Sequence, residues 1–207
     1  MKAMSQHGEV WVFSENKDLM LELLGKGSEL AQKLQTKLAV VLLGRGVEKG
    51  AKEFMGYGAH RVYIVDNPML EKLPSEPCIS ALTHLVRQYK PEIFLFGSTR
   101  RGKEFASRLA SRLETGCVPD CTYLSIDGNG KLLMGRVVYG GNAVATQLCR
   151  VNPQIATVPS RVSEKPAYKE REGEVIKVDI KLEEPRTEVV EVKEIEAPKV
   201  KIEEAKV

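Results

Sequence analysis

From Glu9 to about Phe96, short runs of Val, Ile, Leu and Phe with little alternation are separated by longer stretches of helical period. That is the pattern of parallel strands covered on both faces and joined by crossover helices. The runs Glu9 to Ser14, Leu38 to Leu43, Arg61 to Val65 and Ile93 to Phe96 predict four strands. Leu19, Leu23, Leu30 and Leu34 predict a first helix, with Asn16 or Asp18 placed to cap it and Gly25 and Gly27 weakening it. Val47, Ala51, Phe54 and Met55 predict a shorter second helix punctuated by Gly56 and Gly58. Ile79, Leu82, Leu85 and Val86 form the core stripe of a third, over about Cys78 to Tyr89, which Lys90-Pro91 stops. A fourth, Lys103 to Leu113, sets Phe105, Ala106, Leu109, Ala110 and Leu113 against Arg108 and Arg112.

Beyond Thr115-Gly116 the period shortens to that of β structure. Cys121 to Ile126, Lys131 to Tyr139 and Asn142 to Cys149 predict an antiparallel meander that extends or covers the sheet, its first turn marked by Asp127-Gly128-Asn129-Gly130. From about Ser163, Val175, Lys177, Asp179 and Lys181 alternate with Ile176, Val178, Ile180 and Leu182, which predicts an edge strand with one wet face. Pro185 and Pro198 turn the remainder into an extended arm. The expected organisation is an α/β parallel-sheet domain over 1–163 with an appended antiparallel β segment, followed by an edge strand and C-terminal arm over 164–207.

Composition narrows the function. The 31 basic and 28 acidic residues of the 207 are interspersed and leave a net charge of only +3, so no large basic field marks a nucleic-acid partner. Trp11, Tyr139 and the other aromatics form no stacking series with basic residues between them. The four cysteines, Cys78, Cys117, Cys121 and Cys149, are too few and scattered for a disulfide framework, which favours a reducing compartment. Cys117 and Cys121 share a Cys-x-x-x-Cys spacing, but no pair of histidines stands near to complete a metal site, so they read as structural. Neither a secretory signal nor an apolar run of about 20 residues for a membrane span is visible, so a cytoplasmic protein without membrane insertion is expected.

The one chemically suggestive loop follows the fourth strand. Gly97-Ser98-Thr99-Arg100-Arg101-Gly102-Lys103 is small and basic and opens into a helix, whose free N–H groups attract an anion. Gly97, Ser98, Thr99, Arg101 and Gly102 are thus candidates for anion or nucleotide binding; glycines required by a tight turn are the competing explanation. Arg100, Arg101 and Lys103 equally fit a solvated face or a docking patch for an acidic partner. No Ser-His-Asp, Cys-His or paired-carboxylate arrangement stands out, and Ser98 lacks an evident base, so no catalytic constellation is expected.

Three segments, KPEIFLFGSTRRGKEFASRLASRL, TGCVPDCTYL and GRVVYGGNAVATQLC, resemble the electron transfer flavoprotein alpha subunit family in words, order and spacing. GEVWVFSENKD at the start and PQIATVPSRVSEKP towards the end are similar to the family's first and closing strands, so the resemblance covers nearly the whole sequence. It implies an adenine-nucleotide-binding-like (Rossmann-like) domain that pairs with an electron transfer flavoprotein beta subunit. It further implies a complex that carries electrons from acyl-CoA-type or other dehydrogenases to an acceptor through FAD. The family's FAD-binding domain is expected after the arm, and its glycine-rich strand is not found before Val207. Tight FAD binding by these residues alone is therefore not expected.

In GRVVYGGNAVAT the resemblance places Arg136, Tyr139, Gly141 and Asn142 towards a flavin of the partner subunit. A glycine bulge between two strands, with Arg136 in a surface ion pair, is the plainer alternative. At the level of function the alternative is a stand-alone adenine-nucleotide-binding or sensing domain that uses the Gly97 to Gly102 loop.

Overall fold

The computed structural model describes residues 7–182 together with Glu184, Pro185 and Glu191. In chain order these form β1 (Val10–Phe13), α1 (Lys17–Lys33), β2 (Leu38–Gly44), α2 (Ala51–Gly56), β3 (Arg61–Asp66), α3 (Ser75–Tyr89), β4 (Ile93–Gly97) and α4 (Arg100–Arg112). There follow β5 (Cys117–Val118), β6 (Cys121–Ile126), β7 (Leu132–Val138), β8 (Ala143–Gln147), β9 (Gln154–Val158) and β10 (Glu174–Lys177). A seven-stranded sheet has the order β10-β3-β2-β1-β4-β9-β5, and every neighbouring pair is parallel. The chain winds outward from β1 through β2 and β3 and then returns to β4 on the other side of β1. That reversal is the switch point of a doubly wound α/β fold.

Each face of the sheet carries its own core. On one, α1 and α2 pack Met20, Leu24, Leu30 and Phe54 against Val10, Val12, Val40 and Ile64. On the other, α3 and α4 pack Ile79, Leu82, Leu85, Phe105 and Leu109 against Trp11, Phe13, Phe94 and Phe96. The antiparallel strands β6, β7 and β8 do not extend the main sheet but form a separate one. Cys121, Leu124, Leu132 and Met134 seal it onto the α1 side.

Several boundaries differ from the expectation for local physical reasons. Helix α4 begins at Arg100 rather than Lys103, because the Thr99 hydroxyl caps it by accepting the Gly102 N–H at 2.8 Å. Helix α3 begins at Ser75 rather than near Cys78, with Pro77 in its first turn, where the missing N–H costs nothing. Asn16 caps α1, which runs unbroken through Gly25 and Gly27. Those two glycines sit where the Glu164 backbone and the Leu38 side chain press against the helix.

After β9 the chain runs as a strap across α1 and α2. Arg161 donates its N–H to Glu22 at 2.6 Å, Lys165 pairs with Asp18 at 2.6 Å, and the Lys169 N–H bonds the Gly56 carbonyl at 2.9 Å. Tyr168 lies so close over Gly56 that any side chain there would overlap its ring. The strap delivers β10 to the sheet edge beside β3, where Val175 is 41% exposed while Val178 and Ile180, just beyond, are buried. This is the one-wet-face edge strand that the alternation predicts. The rest of the arm lies largely outside the described residues.

At the opposite, amino-terminal end of the strands, Glu9 gathers three donors. Arg61 approaches it at 2.6 Å, and the Trp11 indole and Tyr63 hydroxyl each at 2.9 Å. Arg61 also pairs with Glu174 on β10 at 2.7 Å.

Candidate functional site

The carboxyl ends of β4 and β9 meet the antiparallel sheet at a polar cluster that joins the two sets of candidate residues. Ser98, just past β4, shares a hydrogen bond of 2.9 Å with the Thr157 hydroxyl on β9 and donates another to the Asp120 carboxylate. Thr157 in turn accepts the Asp120 N–H at 3.0 Å. Lys103, on the first turn of α4, closes the cluster with an ion pair to Asp120 at 2.8 Å. Burial alone would raise the Asp120 carboxyl. The hydrogen bonds from Lys103 and Ser98 outweigh it, the Lys103 and Arg136 charges add to them, and the group is held below the usual carboxylate range.

Arg136 is thus brought electrostatically into range of the Ser98 loop although 38 positions separate them in sequence. It sits on β7 opposite Cys121 on one side and Ala145 on the other. Its Nε is buried and has no hydrogen-bond partner, and among the described residues Arg136 makes no ion pair. The surface ion pair offered as the plainer explanation is therefore absent there. Nor do the glycines form a bulge: Tyr139–Gly141 is a short 3-10 turn between β7 and β8, and Val137 pairs in register with Val144. Tyr139 is 83% exposed at a φ of 52°, and space for a Cβ at Gly140 and Gly141 is open. Asn142 donates its side-chain amide to the Tyr139 carbonyl at 2.8 Å, so part of its capacity closes this turn.

The Gly97 to Gly102 loop is differently disposed from a phosphate cradle. Gly97 lies against Leu19 and Ser14, and Gly102 against Gly97 itself, so both glycines serve the contact between strand and helix. The Thr99 hydroxyl, besides capping α4, donates to the Glu15 carboxylate at 2.6 Å. Two of the chain's own carboxylates, Glu15 and Asp120, therefore stand beside the helix N-terminus, where an anion would otherwise be drawn. Arg101 lies within electrostatic range of Cys78 on α3 and lines, with Glu15, Thr99, Lys72, Glu76 and Arg108, a cleft of about 750 Å³.

Sequence reasoning missed Asp120, Thr157 and Glu15 as members of this site. Each acquires its role from strand order rather than from a local motif.

The outer face of the antiparallel sheet is the other unusual surface. Paired residues share a face, so Tyr123, opposite Gly135, and Val137, opposite Val144, point the same way. They are 54%, 46% and 63% exposed for Tyr123, Val137 and Val144, with Tyr139 beside them. Strand β8 is one edge of this sheet, and four of its five residues are exposed.

The cysteines offer no reactive centre. Burial pushes the Cys78 and Cys121 thiols up to about 12 and Cys117 up to about 11, and all four cysteines are unpaired. Among the described residues no group of three or more His, Cys, Asp or Glu is placed to hold a metal ion, and no helix is long and apolar enough to cross a membrane.

Comparison with known proteins gives the context. Residues 10–183 match the model of the electron transfer flavoprotein domain. The chain is 37% identical to the electron transfer flavoprotein subunit alpha of Thermoanaerobacterium thermosaccharolyticum, over 98% of this chain and 64% of the relative. It is 43% identical to the subunit of that name from Clostridium acetobutylicum, over 75% of this chain and 48% of the relative. With the acryloyl-CoA reductase electron transfer subunit beta of Anaerotignum propionicum it shares 33% identity over 82% of this chain and 54% of the relative. The chain thus spans about half to just under two thirds of the length of these relatives.

Proposed function

The chain belongs to the electron transfer flavoprotein family, and from that premise we propose that it is the scaffold portion of an alpha-type subunit, working in electron transfer through a beta-type partner chain. The observation that carries this reading is the outer face of β6, β7 and β8. Tyr123, Val137, Tyr139 and Val144 expose a contiguous apolar strip beside a free strand edge, which is costly in a solitary chain and ordinary in an interface. The relatives bear the names of electron transfer subunits, which fits a carrier rather than an enzyme.

On this reading FAD belongs to the assembled complex, where it supplies reversible one- and two-electron chemistry. Two features fit a flavin at this end of the antiparallel sheet: Arg136, on the face opposite the strip, has an orphaned, buried Nε, and a Cβ at Gly140 or Gly141 would meet open space. Arg136 would hold the anionic or carbonyl edge of the partner's flavin, while Tyr139, Gly141 and Asn142 shape the approach. The cluster of Ser98, Asp120 and Lys103 holds the β4 and β9 ends in place behind it. The segment 164–207, which includes most of the strap, serves as edge strand and linker towards the flavin-holding part of the assembly. Dehydrogenases deliver electrons through that assembly, in the cytoplasm.

Use of the Gly97 to Gly102 loop as a stand-alone nucleotide site is disfavoured, because Glu15 and Asp120 occupy its flank. The deciding experiment is co-expression with beta-type subunits of the family. A stable one-to-one complex by size-exclusion chromatography with light scattering is expected; a chain that remains monomeric with each of them rejects the reading.

A further inference from the structure

On the side of the sheet away from the antiparallel strands, α3 and α4 run side by side and leave a groove between them. Two clefts, of about 750 and 610 Å³, follow it from the first turns of the helices to their last. Over Arg100 to Arg112 that is about 18 Å of helix at 1.5 Å per residue. Lys72, Arg87, Arg100, Arg101, Arg108 and Arg112 line it. Against the three carboxylates on the same lining, Glu15, Glu76 and Glu104, that is an excess of three cations, as large as the net charge of +3 on the whole chain.

Helix physics accounts for Arg87 and Arg112, which sit in the last turns of α3 and α4 where the dipole favours a cation, but not for the residues at the other end. Arg100 and Arg101 occupy the first turn of α4, which has no acidic residue, and there the helix dipole opposes a cation. Glu104 is taken by Arg108 at 2.9 Å and Glu15 by Thr99. Arg87 donates to the backbone carbonyl of Arg112 at 3.5 Å, which ties the last turn of α3 to that of α4.

We infer that the groove between α3 and α4 is a docking surface for an acidic segment of another protein. The shape favours a segment over a small phosphate ester, because the groove is long and open rather than one enclosed pocket. Glu15, Glu76 and Glu104 also line the groove, a mixed lining that suits a peptide carrying both acidic and neutral positions better than a uniformly charged phosphate backbone. No Phe, Tyr or Trp lines either cleft for base stacking. The groove lies on the α3/α4 face and the apolar strip on the far side of the sheet, so both can be filled at once.

The test uses the full chain, a fluorescein-labelled 12-residue glutamate-alanine peptide, a duplex DNA of matching length and inorganic pyrophosphate. Fluorescence anisotropy is expected to show peptide binding at about 50 mM salt that weakens at least tenfold by about 300 mM, as screening requires. The variant R100E/R112E is expected to lose at least about tenfold in affinity, whereas K52E/K169E, the same charge change on exposed positions elsewhere, stays within about twofold. The milder R87Q/R112Q gives the same direction should the charge reversal impair folding. Absence of peptide binding, equal losses in the control variant, or tighter binding of DNA or pyrophosphate overturns the inference. Since R100E/R112E leaves the strip intact, its pairing with a beta-type subunit is unchanged, and failure here is distinct from failure of the proposed function.

Discussion

Gly102, in the first turn of α4, stands against Gly97 at the end of β4 so closely that a methyl group on it would overlap the Gly97 carbonyl oxygen. The two glycines fix the approach of helix to strand at the switch point and thereby the position of Ser98 and Lys103. Gly102→Ala is expected to destabilise the fold by about 1–3 kcal/mol through overpacking. Gly128→Ala, in a turn with open space around it, is expected to stay within about 0.5 kcal/mol. Urea unfolding midpoints of the two variants make the comparison.

Glu9→Ala strands three donors at once, Arg61, the Trp11 indole and the Tyr63 hydroxyl. Arg61 and Glu9 side chains are 28% and 13% exposed, so solvent compensates only in part. A loss of about 2–3 kcal/mol is expected, larger than for Glu174→Ala, whose carboxylate is more than half exposed. Chemical denaturation of the two variants measures the difference.

Val144→Asp places a charge in the middle of the exposed strip. Stability should change by about 0.5 kcal/mol or less, because the residue is 63% exposed, while complex formation with a beta-type subunit should weaken by about 2 kcal/mol or more. Thermal melts of the free chain and titration calorimetry with the partner read the two quantities separately. Equal affinity would place the interface elsewhere.

His60 accepts the Leu38 N–H at its Nδ1 at 3.2 Å. Burial chiefly, with Lys37 and Arg171 nearby, lowers its pKa below the ordinary 6.5. In the window between the lowered value and about 6.5 the unfolded chain binds the extra proton, so stability must fall as pH drops through it. His60→Gln, which keeps an acceptor but does not titrate, should flatten that part of the profile. Stability measured from about pH 7.5 to about pH 5 checks the change in slope.

Cys117 is the cysteine with most access to solvent, yet its thiol is pushed to about 11, by burial first and by Cys149 second. At pH 8 the thiolate fraction is only about one part in a thousand, so iodoacetamide should label it far more slowly in the native protein than in urea. Intact-mass spectrometry over a time course gives both rates. Rapid native labelling would show that the β5 end opens readily.

The first four strands were legible because a strand covered on both faces is written as an uninterrupted apolar run, as in Leu38 to Leu43 and Ile93 to Phe96. Strand β10 was legible as an edge by its alternation. Strand β5, only Cys117–Val118, is too short to carry any period, and the start of α4 was hidden because Arg100 and Arg101 add no apolar beat. The site was less legible than the fold. Arg136, Ser98 and Lys103 were singled out individually, but their convergence on Asp120 depends on β9 lying between β4 and β5 and on the antiparallel sheet packing beside them. No stretch of sequence encodes that order locally. The strip of Tyr123, Val137 and Val144 was likewise invisible, since an exposed and a buried face of an apolar strand look alike until it is known which one is covered.

The seven-stranded sheet acts as a partition between two sets of packed side chains that share no residue. Alterations confined to opposite sides of it should combine additively. Selection can therefore retune the cationic groove on one side and the apolar strip on the other without either change imposing on its counterpart, so such a module can change one associate while keeping another.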